Sequence, residues 1–106
     1  MALVVSTGQK LPNPNVDDIR RALTALDVKK NGEGFAILER DRMTYLQVSG
    51  DKSIGFDMEY QDGEVQKHFR AIRGDFSLEE AVQALVAYRD QSIDWSKYGE
   101  WTRITW

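Results

Sequence analysis

The sequence predicts an α+β domain: an antiparallel four-stranded sheet, five if the C-terminal tail adds a strand, with an N-terminal and a C-terminal helix packed on one face. Three observations carry this expectation. Helical periodicity occupies residues 15–31 and 77–90, near the two ends of the chain. Strand-like runs fill the stretch between them, punctuated by Asp62-Gly63, a strong short hairpin signal. Helices placed at the ends, rather than between strands, argue against a doubly wound parallel sheet.

The N-terminal segment 1–12 holds the apolar run Leu3-Val4-Val5 and then polar residues, and reads as an arm or an edge strand. The first helix is better specified. Asn15 caps it, Asp18 stands at the third helical position, and Asp17 adds negative charge at the positive end of the helix dipole. Val16, Ile19, Ala22, Leu23 and Leu26 form one apolar stripe, and Asn31-Gly32 ends the element.

Phe35–Leu38 and Met43–Val48 read as a hairpin about Arg40-Asp41, with Ser49–Ser53 as a looser turn. Ile54, Phe56, Met58 and Tyr60 then alternate with polar residues, which gives a strand with one apolar face. A two-residue turn at Asp62-Gly63 would set Tyr60 opposite Val65, Phe56 opposite Phe69 and Ile54 opposite Ala71. On the polar face the same register sets Glu59 opposite Gln66 and Asp57 opposite His68. Ser77 and Glu80 form a capping box for a helix that ends near Asp90 and buries Leu78, Ala81, Val82, Leu85 and Tyr88 or Arg89. The tail, residues 92–106, is aromatic: Trp95, Tyr98, Trp101 and Trp106. Two of its three tryptophans suit core closure, and Trp106, the last residue, suits the surface.

Bulk properties narrow the function. A chain of 106 residues fits one domain, which at this size buries roughly two-thirds of the surface that its unfolded form exposes. There is no cysteine, so disulfides, thiolate metal sites and cysteine nucleophiles are excluded. The N-terminus lacks the basic region of a signal peptide, and no apolar run reaches membrane-span length, so a cytoplasmic protein is expected. Fourteen scattered basic residues against 17 acidic ones leave no footprint for a nucleic-acid backbone.

Chemistry-bearing patterns are few. His68, the single histidine, could be oriented by Asp57 as a general base, but a triad also needs a placed nucleophile and an oxyanion hole, and neither is visible. A surface cross-strand pair is the simpler reading. Asp57 and Glu59 share a strand face without any calcium-loop spacing around them, so no metal site is implied. In Ser49-Gly50-Asp51-Lys52-Ser53, Asp51 occupies the glycine position that a phosphate loop requires before its lysine. Asp17-Asp18 and Glu79-Glu80 belong to first helical turns, where dipole and capping chemistry account for them. No enzyme and no cofactor are expected.

Several stretches together resemble small bacterial immunity-type proteins of polymorphic or contact-dependent toxin systems. They are Leu11-Pro12-Asn13-Pro14, the stripe Ile19–Leu26, Phe35-Ala36-Ile37-Leu38-Glu39, Tyr45-Leu46-Gln47, Glu59-Tyr60, the helix holding Val82 and Tyr88, and Trp95 with Trp101. The similarity runs from about Leu11 to Trp101 and rests on core and turn residues, so it carries over no binding residue. It implies a protein that neutralises a cognate toxin by binding it. The expected contact surface is the sheet face away from the helices, with Tyr45, Gln47, Asp57, Glu59, His68 and Arg70, and Trp106 at the rim. A homo-oligomeric or chaperone-like module and a small enzyme using His68 and Asp57 are the competing readings.

Overall fold

The computed structural model describes residues 1–91 and 100–104. Within them the chain runs β1 (Ala2–Val5), β2 (Lys10–Pro12), α1 (Val16–Thr24), α2 (Val28–Asn31), β3 (Phe35–Asp41), β4 (Thr44–Asp51), β5 (Gly55–Asp62), a 3-10 turn (Val65–Lys67), β6 (His68–Ala71), α3 (Leu78–Arg89) and β7 (Trp101–Arg103). The class is α+β, as expected, but the antiparallel sheet has seven described strands, in the order β2-β1-β3-β4-β5-β6-β7.

The largest departure lies at the N-terminus. Residues 1–12 are neither an arm nor a single edge strand: β1 lies inside the sheet, with Leu3 opposite Leu38 and Val5 opposite Ala36, and β2 forms the edge. Leu3, Ala36 and Leu38 are fully buried, so this pairing completes the core. The bonds Val5 N–H to Gln9 O and Asn13 N–H to Met1 O turn Leu11 inward and leave the backbone of Lys10 and Pro12 facing out. A charged residue and a proline without an N–H make that edge a poor template for another strand.

Both long helices start as expected. Asn15 accepts from Asp18 N–H at 2.8 Å and its own N–H donates to Asp18 at 3.0 Å, while Ser77 and Glu80 do the same at 3.1 and 3.0 Å. Ser77→Ala removes one half of that box and is expected to cost about 1 kcal/mol, measured by urea denaturation. The first helix does not run to Gly32. It stops at Ala25, and Asp27 caps the separate turn α2 by accepting from Lys30 N–H at 3.1 Å. Gly32, at φ +77°, ends α2 in the left-handed conformation that glycine adopts without strain.

Ile19, Ala22, Leu23 and Leu26 pack with Ala81, Val82, Ala84, Leu85 and Tyr88 over one sheet face, that of Leu3, Leu38, Leu46, Val48, Phe56 and Met58. Arg20 and Glu79 clasp α1 to α3, and the guanidinium, helped by Gln83, brings the Glu79 carboxyl down to about 2.

The β3–β4 turn falls at Arg42-Met43 instead of Arg40-Asp41, with a register irregularity between Glu39 and Asp41. The intervening Arg40 places its guanidinium 4.6 Å above the Tyr88 ring and donates to the Tyr88 carbonyl at 3.1 Å. A cation at the last turn of α3 complements the helix dipole there.

Candidate functional site

The expected two-residue turn at Asp62-Gly63 does not form. Gly63 donates instead to Met43 O, and the chain makes a 3-10 turn before β6 begins. The observed register pairs Glu59 with Arg70, Tyr60 with Phe69 and Gln61 with His68. His68 therefore meets Gln61 rather than Asp57, a displacement of four residues along β5. Ile54 and Val65, expected on the apolar face, are 61% and 42% exposed in turns. The physical gain is aromatic: Tyr60 stacks on Phe69 at 4.8 Å and meets Trp101 edge-on at 4.8 Å, while Lys67 is exposed.

A displacement by an even number leaves every side chain on its original face. Tyr45, Gln47, Asp57, Glu59, His68 and Arg70 accordingly share the face opposite the helices, although their partners differ from those expected. They fall into cross-strand rows. One runs Lys10, Val4, Ile37, Gln47, Glu59, Arg70, Thr102 across all seven strands. The next runs Glu39, Tyr45, Gln61, His68, and a third holds Phe35, Ser49 and Asp57. Trp106, like Trp95 and Tyr98, lies outside the described residues.

His68 sits deepest in this face at 2% exposure. Its Nε2 lies 3.2 Å from Glu59 Oε2 and its Nδ1 lies 3.2 Å from Gln61 Oε1. Gln61 is oriented in turn, because its Nε2 donates to Met43 O at 3.2 Å. The Tyr45 ring packs edge-on against the imidazole, with centroids 6.2 Å apart. Burial first, and the Glu59 charge second, push the Tyr45 phenol above its ordinary value, so it stays neutral at physiological pH. Both imidazole nitrogens are engaged within the protein and the ring is closed off from solvent. This geometry organises the surface around it and presents no nitrogen to a substrate.

Asp57 does not approach His68 across the ladder. Its carboxylate lies 3.6 Å from Arg70, and a Cβ at Gly74 would fall 2.5 Å from its Oδ1, so the 72–75 segment closes over one side of it. Gln47 Nε2 donates to Ser49 Oγ at 2.9 Å, and Lys10 lies 3.7 Å from Glu39. Glu59, Asp57 and Glu39 are partly exposed, Arg70 is half exposed, and Val4, Phe35 and Ile37 are half-buried beside them.

The sequence alone brought out the polar β4–β6 half of this face but not the half built by β1 and β3. Gln61, the second partner of His68, was signalled by the alternation of β5. Lys10, Val4 and Ile37 required the pairing of β1 with β3, which no local pattern announces. Two open clefts flank α1 instead, of about 370 Å³ by Gln9, Leu11 and Ala22 and about 550 Å³ by Asp17, Arg20 and Thr24, and neither is lined by Tyr45, Gln47, Asp57, Glu59, His68 or Arg70. Among the described residues, no group of three acidic or histidine side chains is placed to hold a metal ion, and no helix is long and apolar enough to cross a membrane. Neither a protein-family model, nor a curated protein, nor a solved structure matches the chain.

Proposed function

We propose that this protein acts by binding another protein through the β4–β6 part of the helix-free face, and that it neutralises a bacterial toxin domain in this way, as an immunity protein does. The observation that carries the reading is the gathering of Tyr45, Gln47, Asp57, Glu59 and Arg70 on one side of three adjacent strands. Tyrosine and arginine are the residue types that anchor interfaces, and His68 beneath them holds Tyr45 and Glu59 in place. Three strands at about 4.8 Å spacing and three rows of side chains project to about 300 Å², the centre of a contact whose standard size is roughly 800 Å² per partner. The carboxylates of Asp57 and Glu59 outnumber the single Arg70, so the complementary patch on the partner is basic. The resemblance between Leu11 and Trp101 supports a toxin as that partner. On this reading the protein works by occlusion, without making or breaking bonds, in the cytoplasm of the cell that produces the toxin.

The test is co-expression with the product of the adjacent reading frame. Protection from its toxicity and a complex of the two purified proteins are the expected results. Arg70→Ala should change stability by about 0.5 kcal/mol or less, because the side chain is half exposed. The same change should weaken the complex about tenfold or more. Arg70→Ala, Tyr45→Ala and Asp57→Ala all binding as the wild type does would refute the assignment of this surface.

A further inference from the structure

We infer that the β2–β5 part of the helix-free face seats a second copy of this chain, packed face to face about a two-fold axis along β3. The axis follows from one row. Lys10, Val4, Ile37, Gln47 and Glu59 are consecutive cross-strand neighbours on β2, β1, β3, β4 and β5. Ile37 is the midpoint, with two strands on either side, and the ends carry opposite charges. Rotation about β3 lays Ile37 on its own copy, Val4 over the aliphatic stem of Gln47, and Lys10 over Glu59. By symmetry the ion pair forms twice. Aligned sheets pack about 10 Å apart at about 30°. Two strand spacings from the axis, that angle moves the charges about 5 Å along the strand, within the reach of lysine and glutamate side chains.

Two further features fit a face-to-face contact. Val4, Phe35 and Ile37 are half-buried apolar side chains on a face over which no described helix packs. The β2 edge, with Lys10 and Pro12 outward, disfavours extension of the sheet on that side. The five overlapping strands project to about 500 Å² per copy, at the low end of specific interfaces. Lys10 and Ile37 belong to the self-contact only, whereas Glu59 belongs also to the surface proposed above for a partner. The second copy and the partner therefore exclude each other, and the dimer stands or falls independently of the partner's identity.

Light scattering and sedimentation of the whole chain, from about 10 µM to about 1 mM, should show a monomer–dimer equilibrium. Ile37→Arg should remain monomeric with a folded circular-dichroism spectrum, because it sets two cations against each other at the axis. Lys10→Glu and Glu59→Lys should each weaken dimerisation about tenfold. An equimolar mixture of these two variants should recover it, since their heterodimer contains only opposite-charge pairs. A wild-type protein that is monomeric throughout, a dimer that survives Ile37→Arg, or a mixture no better than its components would each overturn the inference.

Discussion

Phe56→Ala is expected to cost about 3–5 kcal/mol of folding free energy, a large part of the roughly 5–15 kcal/mol that holds a domain of this size together. The ring is fully buried, on the face of β5 beneath the helices. Its backbone is also committed: Phe56 N–H donates to Phe76 O at 2.9 Å, and Phe76 N–H returns a bond to Phe56 O at 3.1 Å. That isolated bridge brings the lead-in of α3 onto β5, and Phe76 is itself only 1% exposed. The neighbourhood cannot collapse into the space that alanine leaves, because the backbone on both sides stays pinned by these bonds and by the pairing with β4. The change therefore falls in the upper range for cavity-creating substitutions, where lost transfer energy and an unfilled cavity add. Urea denaturation should show a lowered midpoint with the slope unchanged. Phe56→Leu, which retains much of the volume, should lose distinctly less. A loss below about 1 kcal/mol for the alanine variant would contradict the placement of this ring in the core.

The elements that were legible in the sequence are those whose determinants lie within a few residues of one another. Asn15 with Asp18 and Ser77 with Glu80 are capping pairs three residues apart, and both form as expected. The alternation along 56–61 separates the two faces of β5 without reference to its neighbours, whereas Ile54, which continues the same pattern, lies exposed in the turn before the strand. What escaped depends on distant partners. Leu3 and Val5 join the core only by pairing with residues more than thirty positions away. The β5–β6 connection departs from its local signal: Asp62-Gly63 is favourable for a tight turn, yet the pairing of Tyr60 with Phe69 and Trp101 outweighs it. Asp27 was a readable cap for α2, hidden because Leu26 extends the apolar stripe of α1 up to it. Asp51 was hidden more thoroughly, since an aspartate in a polar, glycine-containing stretch reads as an ordinary turn residue.

Asp51→Ala is the second substitution expected to have a large effect, and its effect should depend on pH. The side chain is 3% exposed and joins two distant parts of the chain. Oδ1 accepts from Ser53 N–H at 2.9 Å, from the Ser53 hydroxyl at 2.7 Å and from Ile54 N–H at 3.0 Å, while Oδ2 accepts from Val28 N–H at 2.8 Å. One carboxylate thus shapes the β4–β5 turn and satisfies the first amide of α2. The turn leaves little freedom to rearrange: Gly50 stands at φ +125°, and a Cβ there would meet Gly55 O at 2.2 Å. Alanine leaves those donors without the acceptor they were folded around, which costs more than the bonds themselves contribute. The Ser53 hydroxyl, followed by the amides of Val28 and Ile54, holds the carboxyl far below its ordinary value of 3.8. A carboxyl depressed in the folded state stabilises the fold fully above its unfolded value, and that contribution is lost as the pH falls below about 4 towards the folded value. Glu79 and Glu80 are also depressed, by Arg20 and Arg73 respectively, but they are common to wild type and variant and cancel in the difference. The stability gap between wild type and Asp51→Ala should accordingly be wide at pH 7 and narrow steadily from about pH 4 downward. Asp51→Asn should also be destabilised, because its amide nitrogen faces the Val28 N–H as a second donor or else surrenders the oxygen that serves Ser53. Chemical denaturation of the three proteins between pH 7 and about pH 2.5 measures this directly. A gap of constant width would show that the ionised carboxylate is not what secures the β4–β5 turn to α2.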